Sequence, residues 1–531
     1  METNQVNHPI PQNPYRPAGK GDMICAALMA IFSVLCVDFY LWGNAGIAAA
    51  GAAAALFLTG AVYLVRKRRA FTVYGLFCGL CYLAGAVSLA VTDEPFSKVC
   101  TALAMIVFSA LAIMEVMSLR RWKDGSFRSI SDVCYTVFCL TFGRIGVACY
   151  ALFHKSNAEG KLGRRKSGSV LLGLVLALPV LVILIPLLTS SDAAFENLLK
   201  QLAFRNFGEA FMSLLLGISL FLMLFGRLFA LRGGAERRTA TPSGRGIEPT
   251  VPTVFLSAIS VVYLLYLVSQ LAYFFNAFSG LLPDGFSTAE YARRGFFEMT
   301  AVCAINLLLL FLSNLLCRKT DGKTPLALRL LSLFLCIVSL VLGSTVLSKL
   351  MLYIRSFGMT RLRIVTSVFT VFLCGVFIAV AFRLFLRKTP YMKIALVIGA
   401  LLLLSMAFVN VDRVVAGYNV EAYRSGVLES IDMDTLQALN SDASVPYLLE
   451  LTNDENPEVA KRACAILSDY ADKHYLIVDS EVDGYRIVAD RGDWRAWNLT
   501  TARAKALLRK NLNAYFRPES VRFYASSELL P

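Results

Sequence analysis

Before residue 410 the chain carries eleven runs of about twenty mostly apolar residues, each long enough to cross about 30 Å of hydrocarbon as an α-helix. This pattern constrains the fold more than any other feature. A transmembrane barrel would alternate apolar and polar residues over about ten positions, and these continuous runs do not. The spans fall roughly at 22–43, 44–65, 71–91, 97–117, 167–190, 209–229, 253–277, 295–317, 326–352, 363–386 and 390–409. A hydrophobic content of 57% agrees with them. The expected class is an all-α polytopic transmembrane helical bundle of about eleven spans, followed by a small C-terminal extracytoplasmic helical domain.

Orientation comes from the loops, because Lys and Arg accumulate on the cytoplasmic side. With the N-terminus inside, the inner loops hold 29 basic residues and the outer ones nine. Residues 410–531 then lie outside, and they differ in charge: net −5, against +20 for the rest. The overall +15 is therefore an effect of inner loops facing anionic headgroups, without the aromatic-interleaved basic surface of a nucleic-acid binder. The polar N-terminal stretch precedes the first span without a small-residue cleavage site, so the first helix is expected to stay as an anchor. The expected location is a bacterial plasma membrane, multi-pass, with the N-terminus cytoplasmic.

The expected organisation is a cytoplasmic tail at 1–21, a four-span bundle at 22–117, a basic cytoplasmic segment at 118–166, a seven-span bundle at 167–409 and the outer domain at 410–531. Residues 132–154 are apolar with Arg144 at their centre and basic flanks, which suits a helix lying at the inner interface; a twelfth span is the competitor. The last span is expected to continue as a helix into water at 410–419. In the outer domain, helix signals occur at Asp432–Leu439, from Pro457, and from Thr500 to Phe516.

Charges within spans are costly and mark function or pairing. Six basic residues break the inside bias, namely Arg293, Arg294, Lys349, Arg355, Arg361 and Arg363. Glu298 and Asn306 share one broad side of the eighth span, Lys349 and Tyr353 share a face four residues apart, and Asn410, Asp412 and Arg413 emerge from the last span. All are expected at the outer boundary of the membrane. There they form either a salt-bridged platform that docks the domain or a site for an external anion, such as a lipid headgroup or a phosphorylated carrier. Glu115 and Arg227, near inner ends, are expected to snorkel. Trp494 and Trp497 could belong to the domain core, to the outer leaflet or to a partner surface. His8, His154 and His474 are too scattered for a ligand set, and no cofactor, metal or nucleic acid is implied.

The same segments carry a resemblance. Residues 178–195, Tyr-Ala-Arg-Arg-Gly-Phe-Phe-Glu at 291–298 running on to Asn306, Ser-Phe-Gly-Met-Thr-Arg-Leu-Arg at 356–363, 410–423, and Asp-Trp-Arg-Ala-Trp-Asn-Leu at 493–499 resemble a bacterial multi-pass membrane family, domain of unknown function 4173, related to 4153. Together they cover roughly 165–510, leaving the first four spans outside. The departures are Met359, where the family has Leu, and Val411, where it has Pro. The resemblance implies that the arginine turn and the tail belong to one design, with no activity attached. The residues favour a non-catalytic envelope sensor, scaffold or partner-binding protein. A transporter or an enzyme acting on an anionic, lipid-linked substrate at the outer leaflet is the alternative.

Overall fold

Helix ends in this protein are set by the residues that punctuate the apolar runs. The computed structural model describes residues 14–65, 72–117, 119, 132–156, 162–164, 184, 188, 207–233, 247–279, 296–317, 325–385, 391–439, 441–480 and 484–516. Helix α1 (Lys20–Leu41) starts where the Asp22 carboxylate accepts the Gly19 N–H at 3.0 Å. It is followed by α2 (Ile47–Val65) and by α3 (Val73–Leu89), capped by the Thr72 hydroxyl. Glu94 then precedes α4 (Pro95–Val116), whose first position is proline, a residue that lacks the N–H a first turn leaves unused.

After a π-helical turn at Tyr135–Cys139 come α5 (Ile145–Phe153), α6 (Phe207–Arg232), α7 (Thr250–Ser279), α8 (Phe296–Leu316), α9 (Leu326–Phe357), α10 (Arg361–Phe385) and α11 (Tyr391–Val409). These helices are apolar on the outside as well as the inside. Ile24, Val73, Val262 and Leu265 turn 64–87% of their surface outward, which suits hydrocarbon and not water.

Eight described helices are long and apolar enough to cross a membrane, or nine with the bent pair at 394–424. This is a count of the described residues alone: α3, at 17 residues, is apolar and just below that length, α8 is apolar throughout its described part, and the expected span at 167–190 lies almost wholly outside the described residues. Asp132–Phe153 also meets the length and composition test. Its contacts set it across one end of the bundle. Val133 packs with Leu111 and Met114 at the end of α4, Thr141 meets Arg227 near the end of α6, and the Ala151 carbonyl accepts the Ala18 N–H just before α1.

Helices α1 and α6 run antiparallel. Asp22 at the start of α1 pairs with Arg232 at the end of α6 (2.9 Å), while Asp38 near the other end of α1 accepts from Ser213 (2.9 Å). Two ends result. The basic end holds Arg16, Arg227, Arg232 and the 132–153 segment. The opposite end, here the junction end, gathers the turns at 42–46, 90–94 and 358–360 together with Asn410.

The continuation of α11 into water is corrected to a break: Asn410 takes φ +52°, and the axis bends by 61° into α12 (Val411–Arg424). Asn tolerates this left-handed backbone better than other non-glycine residues. Beyond it lie α13 (Met433–Ala438), α14 (Val445–Glu450), α15 (Pro457–His474), α16 (Leu499–Lys510) and α17 (Leu512–Tyr515). An antiparallel hairpin of β3 (Tyr475–Ser480) and β4 (Gly484–Asp490), rich in β-branched and aromatic residues, is inserted between α15 and α16 of this otherwise helical stretch. A shorter hairpin pairs β1 (His154–Ser156) with β2 (Leu162–Arg164).

In contrast to the bundle, α15 buries Val459, Ala463, Ile466, Leu467 and Tyr470 and exposes Glu458, Lys461, Asp469 and Asp472. The C-terminal helices share a core centred on Val415, Leu436, Leu448, Leu467 and Tyr515. Leu448 is fully buried there. Leu448→Ala is expected to cost about 2–5 kcal/mol through lost burial and a residual cavity. Limited proteolysis should then cut within 411–516 at a lower temperature than in the wild type.

Candidate functional site

The arginine turn and the C-terminal helices meet on a short acidic loop, Thr92-Asp93-Glu94, between α3 and α4. Glu94 has a fully buried side chain. Its Oε2 accepts the Ser97 hydroxyl (2.7 Å) and the Val411 N–H (2.8 Å), and its Oε1 lies 3.5 Å from Arg361 Nε. Asp93 accepts from Asn410 Nδ2 (3.1 Å), from the Ser441 hydroxyl (3.0 Å) and from the Asp442 N–H (2.6 Å). A third segment completes the dock, as Leu499 N–H donates to the Ala90 carbonyl (2.9 Å) and the Thr500 hydroxyl to that of Val91 (2.7 Å).

Arg361 bridges the two halves. Its Nε donates to Asp412 Oδ1 (2.9 Å), and its Nη2 donates to both Asp412 oxygens (2.7 Å each) and to the Leu439 carbonyl (3.1 Å). The Asp412 side chain is fully buried, and the planar guanidinium fits it as an ammonium could not. Deeper in the C-terminal core, Asp442 joins His474 Nε2 (2.8 Å) to the Thr501 hydroxyl (2.7 Å).

The turn before Arg361 has its own clasp. Gly358 sits at φ +73°, and an added Cβ would lie 2.7 Å from Asn419 Oδ1, so both conformation and space call for glycine. Asn419 accepts the Met359 N–H (2.6 Å) and donates to its carbonyl (2.9 Å). Because these bonds use backbone, Met at 359 serves as well as Leu. Val411 is a more consequential departure, since proline there would start α12 equally well but remove the N–H that Glu94 accepts.

The structure brings together Arg361, Asn410 and Asp412 and separates the other expected residues. Arg363 folds back onto the carbonyls of Phe357 and Gly358 and stacks over Tyr353 at 4.2 Å, where it caps the negative end of α9. Arg355 and Arg413 are exposed, Lys349 is half-buried in α9, and Arg293 and Arg294 lie outside the described residues. Glu298 is exposed on the first turn of α8.

Asn306 is not at the outer boundary. It lies about 15 Å along α8 at a rise of about 1.5 Å per residue, accepting from the Tyr263 hydroxyl (2.6 Å) and donating to Ser339 (3.0 Å) inside the α7–α8–α9 core. The reach of sequence reasoning stopped short of Asp93, Glu94, Ser441 and Asp442. The available signal was an acidic pair directly before Pro95. Among the described residues, no group of three His, Cys, Asp or Glu is arranged to hold a metal ion.

A family model described as "Domain of unknown function (DUF4153)" matches residues 77–451, which include every part of this junction up to Asp442. The chain belongs to the DUF4153 family. The match begins within α3 and ends after α14, so it takes in α4 and the acidic loop, which the sequence resemblance had left outside, and excludes 493–499. No curated protein and no solved structure matches the chain.

Chemically, this DUF4153 junction places several carboxylates around one guanidinium. Burial, then the Glu94 charge, push the Asp412 carboxyl up to about 7 against the pull of Arg361. Burial, then Asp442, likewise raise Asp93. Burial also opposes ionisation of Asp442, but the His474 and Thr501 bonds outweigh it and hold that carboxyl below its ordinary range. Between the ordinary 3.8 and about 7, the folded state binds more protons at Asp412 than the unfolded state, so this contribution to stability grows as pH falls through about 7. Asp442 acts in the opposite sense, but only below its ordinary 3.8. Hydrogen exchange corrected for its intrinsic rate should show α12 better protected at about pH 5 than at about pH 8. Asp412→Asn should flatten that dependence; an unchanged slope in the variant would refute the assignment to Asp412.

Proposed function

We propose that this DUF4153 chain is a non-catalytic sensor or scaffold of a bacterial plasma membrane, with its N-terminus cytoplasmic and its C-terminal helices standing on the outer face as a partner-binding unit. The observation that carries the reading is Arg361. Its guanidinium is taken up by Asp412, Glu94 and the Leu439 carbonyl, so the arginine turn serves to dock the C-terminal helices. An enzyme at this place would need a carboxylate left to act on substrate, and the two nearest are held by Arg361, Ser97 and the Val411 N–H.

Sidedness supports the orientation. The basic inner loops of the sequence connect to the end that carries Arg16, Arg227 and Arg232, and the junction end carries the tail. Trp42, Trp494 and Trp497 are 45–70% exposed at the junction end, where the Trp497 carbonyl accepts the Ile47 N–H (2.9 Å). Amphipathic indoles at that depth suit the headgroup boundary, so this aromatic cluster reads as a footing on the outer leaflet.

Two measurements test the proposal. A membrane-impermeant maleimide applied to intact cells should label Lys461→Cys above the wild-type background and leave Lys20→Cys unlabelled; the reverse pattern would invert the topology. Arg361→Gln leaves buried carboxylates without their cation, and solvent at the 38%-exposed arginine discounts the about 3–5 kcal/mol of a fully buried pair. The expected result is faster proteolysis within 411–516, with no change in bound species by native mass spectrometry. Loss of a bound anion on that substitution would replace the docking reading with an anion site.

A further inference from the structure

Arg227, at the basic end, does not snorkel. It is only 4% exposed, and its Nη1 donates to the Thr141 hydroxyl at 3.3 Å. Its Nε and Nη2 have no hydrogen-bond partner, and no ion pair joins it to a carboxylate among the described residues. A guanidinium keeps its proton in proteins, so burial without a counter-charge is strongly unfavourable, and arginines within spans turn toward a partner or cavity.

Arg227 lines such a cavity. Between α1, α2, α3, α4 and α6 lies a space of about 660 Å³, walled by Met29, Leu56, Gly79, Met105 and Leu220 with Arg227 as its charged residue. It extends from Gly75 to Leu89 along α3 and from Leu216 to Leu228 along α6, a length of about 18–21 Å at about 1.5 Å per residue. That exceeds the about 15 Å of hydrocarbon in one leaflet. Leu58, Leu76 and Leu80 at its rim expose 48–57% of their surface on the lipid-facing side, so the opening is toward the bilayer.

An apolar slot as long as an acyl chain, open to hydrocarbon and with one uncompensated cation near its basic end, selects for an amphiphile with an anionic head. We propose that this cavity binds an acyl chain of an anionic phospholipid whose phosphate pairs with Arg227. Because Nε and Nη2 are covered, binding turns the guanidinium from Thr141 toward the phosphate, which it can meet with two parallel N–H donors. The phosphate-binding end at Arg227 is separate from the junction, which lies at the other end of the same helices.

The test uses the full chain in nanodiscs of equimolar phosphatidylglycerol and phosphatidylcholine, with lipids retained on release counted by native mass spectrometry. The wild type should retain one phosphatidylglycerol with a preference of about tenfold, because the choline cation of phosphatidylcholine already neutralises its phosphate and is repelled by Arg227. Arg227→Lys should keep that preference, whereas Arg227→Gln should lose it while still admitting a chain. In Gly79→Leu a new side chain enters the slot from a position whose Cβ would lie 3.5 Å from the Phe57 ring, and retention of both lipids should fall. A thermal midpoint within the wild-type range identifies folded variants, and the lysine variant carries the comparison if the glutamine variant unfolds. Equal retention of the two lipids by the wild type, or a preference surviving in Arg227→Gln, would overturn the proposal. Inorganic phosphate binding to Arg227 without displacing lipid would assign the arginine to a soluble anion and also overturn it.

Discussion

The structure depends on two adjacent carboxylates at the start of α4, the fully buried Glu94 and the part-buried Asp93. Carboxylates removed from water require donors, and the loop that holds this pair cannot supply enough of them. Ser97 provides one from within α4; the others come from Asn410, Val411, Ser441 and Asp442, more than 300 residues further along the chain, and from Arg361. The break at Asn410 follows from this requirement. A straight continuation of α11 would hold the Val411 N–H within a helix, whereas the bend frees it as a first-turn donor aimed at Glu94. Thus one local acidic pair dictates where the last bundle helix ends and which helices pack on it.

Hydropathy made most of the bundle legible, because a run of about twenty apolar residues has few other fates. It does not separate spans from other apolar helices, since Asp132–Phe153 passes the length and composition test while lying across a bundle end. The hairpin at 475–490 escaped notice because its short strands sit between the helix signals that start at Pro457 and Thr500. At the junction, Arg361 and Asp412 could be singled out because charge next to an apolar run is conspicuous. Their partner Glu94 could not be tied to them, since the pairing spans more than 260 residues and leaves no periodic trace. Asn306 shows the opposite error. An amide near a helix start was read as a boundary residue, while its real company is the buried hydroxyls of Tyr263 and Ser339.

The family match sharpens the meaning of the sequence motifs. It covers the acidic loop, the turn Ser356–Arg363 and α12, which meet at the junction, and it ends after α14, leaving α15 to α17 outside. Gly358, Asn419, Arg361 and Asp412 each have a geometric duty within that meeting: a left-handed backbone, a clasp on Met359, and a bidentate ion pair. A motif built of such residues records how the C-terminal helices are fastened to the bundle.

The two ends of the bundle obey the same rule for buried charge with opposite signs. At the junction end burial, and after it the surplus of carboxylates over the guanidinium, push Asp412 up to about 7, so that a proton can relieve the excess. At the basic end Arg227 is buried with no ion pair to a carboxylate among the described residues. A guanidinium cannot relieve itself by releasing a proton near neutral pH, so its compensation has to be an anion brought from elsewhere. The apolar walls beside Arg227 restrict that anion to one attached to hydrocarbon. The asymmetry between acid and base chemistry thus leads to a proton-responsive contact at one end of the helices and a lipid-responsive one at the other.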